Sequence, residues 1–305
     1  MGLTATQRAA RAEGIGASEI GAILGVDPFK NAYTVWAEKT GKVAPEAEND
    51  AMRRGNRLEP LILSWAEEEL NQKIVRPTGT YKHTNGIMFA NLDAQILAPK
   101  RGQDVVEAKS SGIPDGWGEP GSDQIPERVL AQVTGQMMCS DATTAYVARL
   151  SWTTFAGPKL DIYPITFDDS LAALIEDACM AFWENHVEKD IPPADVPPDL
   201  ETVKRFLPRK GERRPVRAEV AKAFMDARRV RLDAEKAEEA AQAMLLAELQ
   251  GAEFGECPGI EIKYPIGSQN RIDVDRLREE APDIAAKYTK ATPTRRLTVA
   301  IAKVK

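Results

Sequence analysis

Residues 91–111, NLDAQIL–APKRGQ–DVVEAKSS, read as two β-strands joined by a Pro/Gly turn. Side chains alternate along a strand, so Glu107 and Lys109 share one face while Val106 and Ala108 point the other way, as core residues would. A turn centred near Lys100 or Arg101 sets Asp93 nearly opposite Glu107. Opposed residues of an antiparallel pair point to the same side, so Asp93, Glu107 and Lys109 are expected to converge. Two adjacent carboxylates repel unless a positive charge lies between them, and a hard divalent cation such as Mg2+ supplies it. Such an ion lowers the pKa of a bound water and stabilises charge on a phosphate under attack. Lys109 can then position or deprotonate that water. The same residues also make an ordinary surface hairpin with a Glu107–Lys109 salt bridge, and so short a pattern does not decide between the two.

Composition narrows the chemistry further. The 305 residues contain only two histidines, His83 and His186, and three scattered cysteines, Cys139, Cys179 and Cys257. Zinc ribbons, iron–sulfur clusters and multi-histidine catalysis are thereby set aside, and carboxylates, lysines and hydroxyls are left. No apolar run has the length of a membrane span, and the N-terminus lacks the apolar core of a secretory signal, so a cytoplasmic protein is expected. The formal net charge of −6 is unusual for a DNA-binding chain. Net charge is an average, however, and Lys204, Arg205, Arg209, Lys210, Arg213, Arg214 and Arg217 crowd one stretch that could form a local basic surface.

Along the chain, 17–25 reads as a short helix beginning at Ser18, 32–40 as a helix stopped by Gly41, and 50–70 as a helix with Leu58, Leu61, Ile62, Trp65 and Leu70 on one face. Pro60 should kink this helix or start its second part. Strands over 88–97 and 104–111, a helix over 126–140, strands near 143–152 and 159–166, and a helix over 168–189 follow. That order suggests an α+β core. The proline stretch 191–198 reads as the domain boundary. Beyond it lie a long helix over 215–250, with an alanine-rich seam of alternating four–three spacing, and a small α/β tail.

Four blocks in order resemble the lambda exonuclease-like, YqaJ-type viral recombinase nucleases of the PD-(D/E)xK superfamily: RAEGIGASEIGAILG at 11–25, RGNRLEP at 54–60, NLDA…VVEAKSS at 91–111 and LAQVTGQM at 130–137. The resemblance covers roughly residues 5–190 and makes 1–190 the nuclease core, 191–198 a linker, and 199–305 a region for assembly, DNA or partner binding. It implies an α/β restriction-endonuclease-like core, a central mixed sheet flanked by helices. It also implies Mg2+ dependence, with Mn2+ able to substitute, and 5′-to-3′ digestion of one strand of duplex DNA from its ends. A ring-shaped homo-oligomer and a single-strand annealing partner in phage-type recombination belong to the same implication. By this resemblance Asp93 and Glu107 are metal ligands, helped by the Ala108 carbonyl, and Lys109 is the catalytic lysine. Glu59 matches an additional acidic residue near the metal and Gln132 the glutamine on the helix beside the site, while Gln136, one turn on, is expected among the DNA-contacting residues. Arg11 and Ser18 match the pair used for a terminal 5′-phosphate, where Ser18 would cap a helix and Gly14 and Gly16 would let the phosphate approach. The sequence departs from the family pattern at Asn91, Leu92 and Val129.

The glycine-rich stretch 112–123 reads as a mobile loop beside the site, and Trp117 within it either stacks on a base or anchors the loop. Two rivals to an exonuclease stand: an endonuclease on the same core, and a non-catalytic DNA-binding or assembly module. The complete Asp93, Glu107 and Lys109 set disfavours the latter.

Overall fold

The computed structural model describes residues 13–43, 48–98, 102–112, 115–153, 157–206, 211–268 and 272–290, together with 297 and 299. The chain forms two compact units, Met1–Arg209 and Lys210–Lys305.

The first unit is built on a five-stranded mixed sheet in the order β2-β5-β6-β7-β8, from β2 (Ile74–Val75), β5 (Ala94–Ala98), β6 (Gly102–Ser110), β7 (Thr144–Thr153) and β8 (Gly157–Thr166). Only β6 and β7 run parallel, and α4 (Glu127–Ser140) makes the crossover that parallel neighbours need. A smaller sheet, β1-β4-β3, joins β1 (Ile15–Gly16), β4 (Met88–Ala90) and β3 (Tyr81–Lys82). The expected strand over 88–97 is therefore two strands, broken at Asn91–Asp93 because its halves enter different sheets.

Helices α3 (Asp50–Leu70) and α4 cover opposite faces of the large sheet. Ile62 and Ala66 of α3 pack with Ala148, Leu150 and Leu160, while Val129, Val133 and Met137 of α4 share a core with Val105, Ala145, Val147, Tyr163 and Ile165. Asn49 caps α3 by accepting from Met52 N at 2.9 Å, and the helix runs unbroken through Pro60. Leu61, expected on the buried stripe, is exposed, because Leu58, Ile62 and Trp65 already fill the line facing the sheet. Around α1 (Ile20–Ile23) and α2 (Ala32–Lys39), Glu19 is buried and pairs with Lys39 at 2.5 Å. After α5 (Asp169–Phe182) the chain passes through a π-helical turn, Trp183–Val187, and the proline stretch. The structure moves the boundary expected at 191–198. Beyond the prolines, α6 (Leu200–Lys204) still belongs to the first unit: Thr202 bonds Thr34 at 2.9 Å, Arg205 pairs with Glu38 at 2.7 Å, and Phe206 stacks on Tyr33.

The second unit contains α7 (Ala218–Leu249), on which no residue is buried, the hairpin β9 (Phe254–Cys257) and β10 (Ile260–Lys263), and two short helices, α8 (Val274–Glu280) and α9 (Pro282–Tyr288). Four of the seven residues of the expected basic cluster have acidic partners: Lys204 pairs with Glu201, Arg205 with Glu38, Arg214 with Glu212 and Arg217 with Glu219. Arg209 and Lys210 lie outside the described residues. No helix among the described residues is long and apolar enough to cross a membrane.

Two predictions follow from the packing. A Cβ added at Gly14 would sit 2.4 Å from the Ile87 carbonyl oxygen, which already accepts from Ile15 N at 2.7 Å. Gly14→Ala should therefore cost about 1–3 kcal/mol of stability in urea denaturation, and an unchanged midpoint would contradict this contact. A chain ending after Arg209 should also melt higher than one ending after Pro197, which lacks Thr202, Arg205 and Phe206. Equal melting temperatures would show that α6 adds nothing.

Candidate active site

The register of β5 against β6 builds the site. Ala94 pairs with Val106, so the next pair outward is Asp93 opposite Glu107. Asp93 stands at the bend between the two sheets, and its Oδ2 accepts from Ala108 N at 3.0 Å. Val106 packs with Leu63 and Ala108 with Ile62, both on the α3 side. Glu107 and Lys109 therefore face α4.

Glu107 is buried, yet both of its oxygens are engaged. Oε1 accepts from Lys109 Nζ at 2.5 Å and from Gln132 Nε2 at 2.7 Å, and Oε2 accepts from Gln136 Nε2 at 2.7 Å. Lys109 Nζ also donates to Gln132 Oε1 at 2.9 Å. Gln132 and Gln136 lie one turn apart on α4, so one helix face meets the whole carboxylate. The expected grouping of Gln136 with DNA-contacting residues changes here: it is 1 % exposed and turned inward to Glu107.

The Asp93 carboxyl is held well above the usual carboxylate range, first by burial and then by the negative charge of Glu107, with Glu59 adding to the rise. Lys109 and the Ala108 N–H oppose it. Glu59 projects from α3 and lies 3.8 Å from Arg76. Among the described residues no three His, Cys, Asp or Glu side chains gather as a ready metal cage. An aspartate whose proton affinity is raised by a neighbouring carboxylate still suits a hard cation that keeps several waters and takes only one or two protein carboxylates.

The remaining expected residues fall differently. Ser18 does not cap a helix; Ala17–Glu19 form a 3-10 turn with Gly16 as the cap, and Ser18 lies exposed inside that turn. The Gly16 N–H is already taken by the Glu19 carboxylate at 2.8 Å. The space at Gly14 is filled by the Ile87 carbonyl and that at Gly16 by Phe89. These glycines thus serve the close β1–β4 pairing. Arg11 lies outside the described residues.

Trp117 packs on Tyr163, with ring centroids 5.1 Å apart, and the Arg149 guanidinium lies over it at 4.7 Å. Tyr163 Oη donates to Gly118 O at 3.2 Å, and Gly121 N donates to Ile162 O at 2.8 Å. The described part of the loop expected to be mobile is thus clamped to β8, with Trp117 as an anchor. Arg149 and Asp161 escaped sequence reasoning. They pair in register with each other, and Arg149 with Lys109, so all three share one sheet face. A charged residue in the otherwise apolar run AYVARL was the one available signal.

A mixed sheet with an aspartate at a strand bend, an E-x-K triplet on the neighbouring strand and a glutamine-bearing helix across it makes up an α+β core with a central mixed sheet flanked by helices. Residues 8–143 match the YqaJ-like viral recombinase domain. The uncharacterized protein YqaJ of Bacillus subtilis (strain 168) is 26% identical over 297 residues, covering 94% of this chain and 91% of the relative. Among solved structures, the alkaline exonuclease LHK-Exo of Laribacter hongkongensis is 21% identical with a TM-score of 0.49, covering 62% of this chain and 94% of its own. A phage-related exonuclease of Haemophilus somnus 129PT is 13% identical with a TM-score of 0.44, covering 58% of this chain and 95% of its own.

The raised pKa of Asp93 gives a pH dependence. A folded carboxyl that keeps its proton above the unfolded value makes the ion-free protein lose stability as pH rises beyond that unfolded value. Asp93→Asn cannot ionise, so it should flatten this slope and raise the melting temperature near neutral pH in chelator. Parallel melting curves for the two proteins from about pH 4 to about pH 8 would refute the assigned shift.

Proposed function

We propose that this chain is a Mg2+-dependent nuclease that digests duplex DNA from its ends in the 5′-to-3′ direction, leaving single-stranded tails for recombination. The observation that carries the reading is the convergence of Asp93, Glu107 and Lys109, with Gln132 tying Glu107 to Lys109. The match to a viral recombinase domain supports the recombination setting, and the family resemblance supplies the polarity and the use of DNA ends.

Asp93 and Glu107 would hold the ion, with the Ala108 carbonyl as a further ligand and Glu59 acting through water. When bound, the ion lowers the pKa of a coordinated water and offsets the charge that builds on the attacked phosphate. The chain's own residues do the remaining work. The Asp93–Ala108 hydrogen bond fixes one carboxylate against the β6 backbone. Gln132 holds the Lys109 ammonium beside Glu107, where it can meet a phosphate oxygen or orient the attacking water. Burial of Glu107 strengthens each of these charge-assisted contacts relative to water. Ser18 is exposed and would bind the terminal phosphate together with Arg11.

Time-resolved digestion of linear duplex, labelled separately at its 5′ and 3′ ends and run with and without Mg2+, tests this reading. Shortening of the 5′-ended strand only when Mg2+ is present is expected. Cutting of covalently closed circles would instead establish the endonuclease alternative. Asp93→Asn, Glu107→Gln and Lys109→Met should each lower the rate by several kcal/mol in barrier terms, on the order of 1,000-fold or more, with the fold retained. Near-normal turnover in a folded Lys109→Met protein would remove that residue from the chemistry.

A further inference from the structure

Gln136 is among the most deeply buried polar side chains of the first unit, yet it lies within hydrogen-bond reach of the site. Its neighbours on α4, Val133 and Met137, are core residues, and at 1 % exposure it has no surface to offer DNA. Its Nε2 donates to Glu107 Oε2 at 2.7 Å, while its Oε1 has no hydrogen-bond partner among the described residues. A half-satisfied amide in an apolar surround weakens a core compared with an apolar side chain of the same size. Its donor offsets part of the cost of burying the Glu107 carboxylate, but that alone does not explain a side chain whose other end is orphaned.

The geometry of Glu107 does. Gln132 and Lys109 both hold Oε1, and a carboxylate pinned at one oxygen can still turn about its last side-chain bond, whose torsion is broad. The donor from Gln136 engages the other oxygen and removes that rotation. A flipped amide would set its carbonyl oxygen against the carboxylate, so only one orientation of Gln136 serves. We propose that Gln136 is a positioning residue that fixes the carboxylate plane of Glu107 for binding a divalent ion. This inference rests on the ion-dependent reading given above.

Partners that orient a metal ligand typically carry about 10- to 100-fold in metal affinity. Gln136→Met keeps the volume and removes the donor. The test is calorimetric titration of Mn2+ into the full-length protein without DNA, beside equilibrium binding of duplex DNA in chelator. The Mn2+ affinity of Gln136→Met should fall about 10- to 100-fold while duplex affinity stays at the wild-type value. Far-UV circular dichroism checks the fold. If Gln136→Met does not fold, Gln136→Asn takes its place; it keeps an amide one methylene short and should show a smaller loss. Unchanged Mn2+ affinity in either folded variant would overturn the positioning role and leave the ion-dependent reading intact. A wild-type protein that binds no Mn2+ would overturn both. Loss of folding in both variants, or an equal loss of duplex affinity, would make Gln136 a structural residue and also overturn the assignment.

Discussion

Everything at the site depends on one pairing, Ala94 against Val106. Strand side chains have a period of two, so a slip of one residue would turn Glu107 and Lys109 toward α3 and present Val106 and Ala108 to α4. Such a slip would drive a carboxylate and an ammonium into the cluster formed by Ile62, Leu63 and Ala66 while withdrawing Glu107 from both glutamines. The apolar face thereby enforces the polar one. The register that fills the core on one side is the register that assembles the chemistry on the other.

The polar side is held by a closed set of partners. Glu107 is buried, and a buried carboxylate is costly unless paired and hydrogen-bonded. Lys109, Gln132 and Gln136 provide that pairing from two elements, β6 and α4. Asp93 accepts from the Ala108 N–H, but burial and the charge of Glu107 outweigh that bond and leave its carboxyl with a high affinity for a proton. One carboxylate is thus satisfied within the protein, and the other stays receptive to a positive charge.

Local information made part of this legible. The turn position and the alternation along two adjacent strands were enough to oppose Asp93 and Glu107, because few residues separate them. The helix-turn spacing of Gln132 and Gln136 was equally readable, although not that Gln136 would be buried with its donor on Glu107. Features set by distant pairing were not readable. Arg149 reaches the Lys109 face through the parallel β6–β7 register, and Trp117 finds Tyr163 across β8. Ser18 was misplaced for a subtler reason. Serine is a strong capping residue, but the β1–β4 pairing starts the turn two residues earlier, at a glycine that Phe89 approaches closely. The proline stretch marked a stiff segment, yet stiffness does not end a domain when Thr202 and Arg205 reach back to α2.

The break at Asn91–Asp93 has a mechanical consequence. The strand pairing with β1 and the strand next to Glu107 are one covalent path, changing sheets over three residues. Thr80 Oγ1 donates to Asn91 Oδ1 at 2.8 Å and ties the start of that path to the smaller sheet. Asp93 is therefore the short arm of a lever whose long arm is the N-terminal sheet. Shear between the sheets would therefore load Asp93 and its hydrogen bond to Ala108 N, whereas Glu107 is braced by α4. Strain applied at the N-terminal block is thus delivered to one of the two carboxylates.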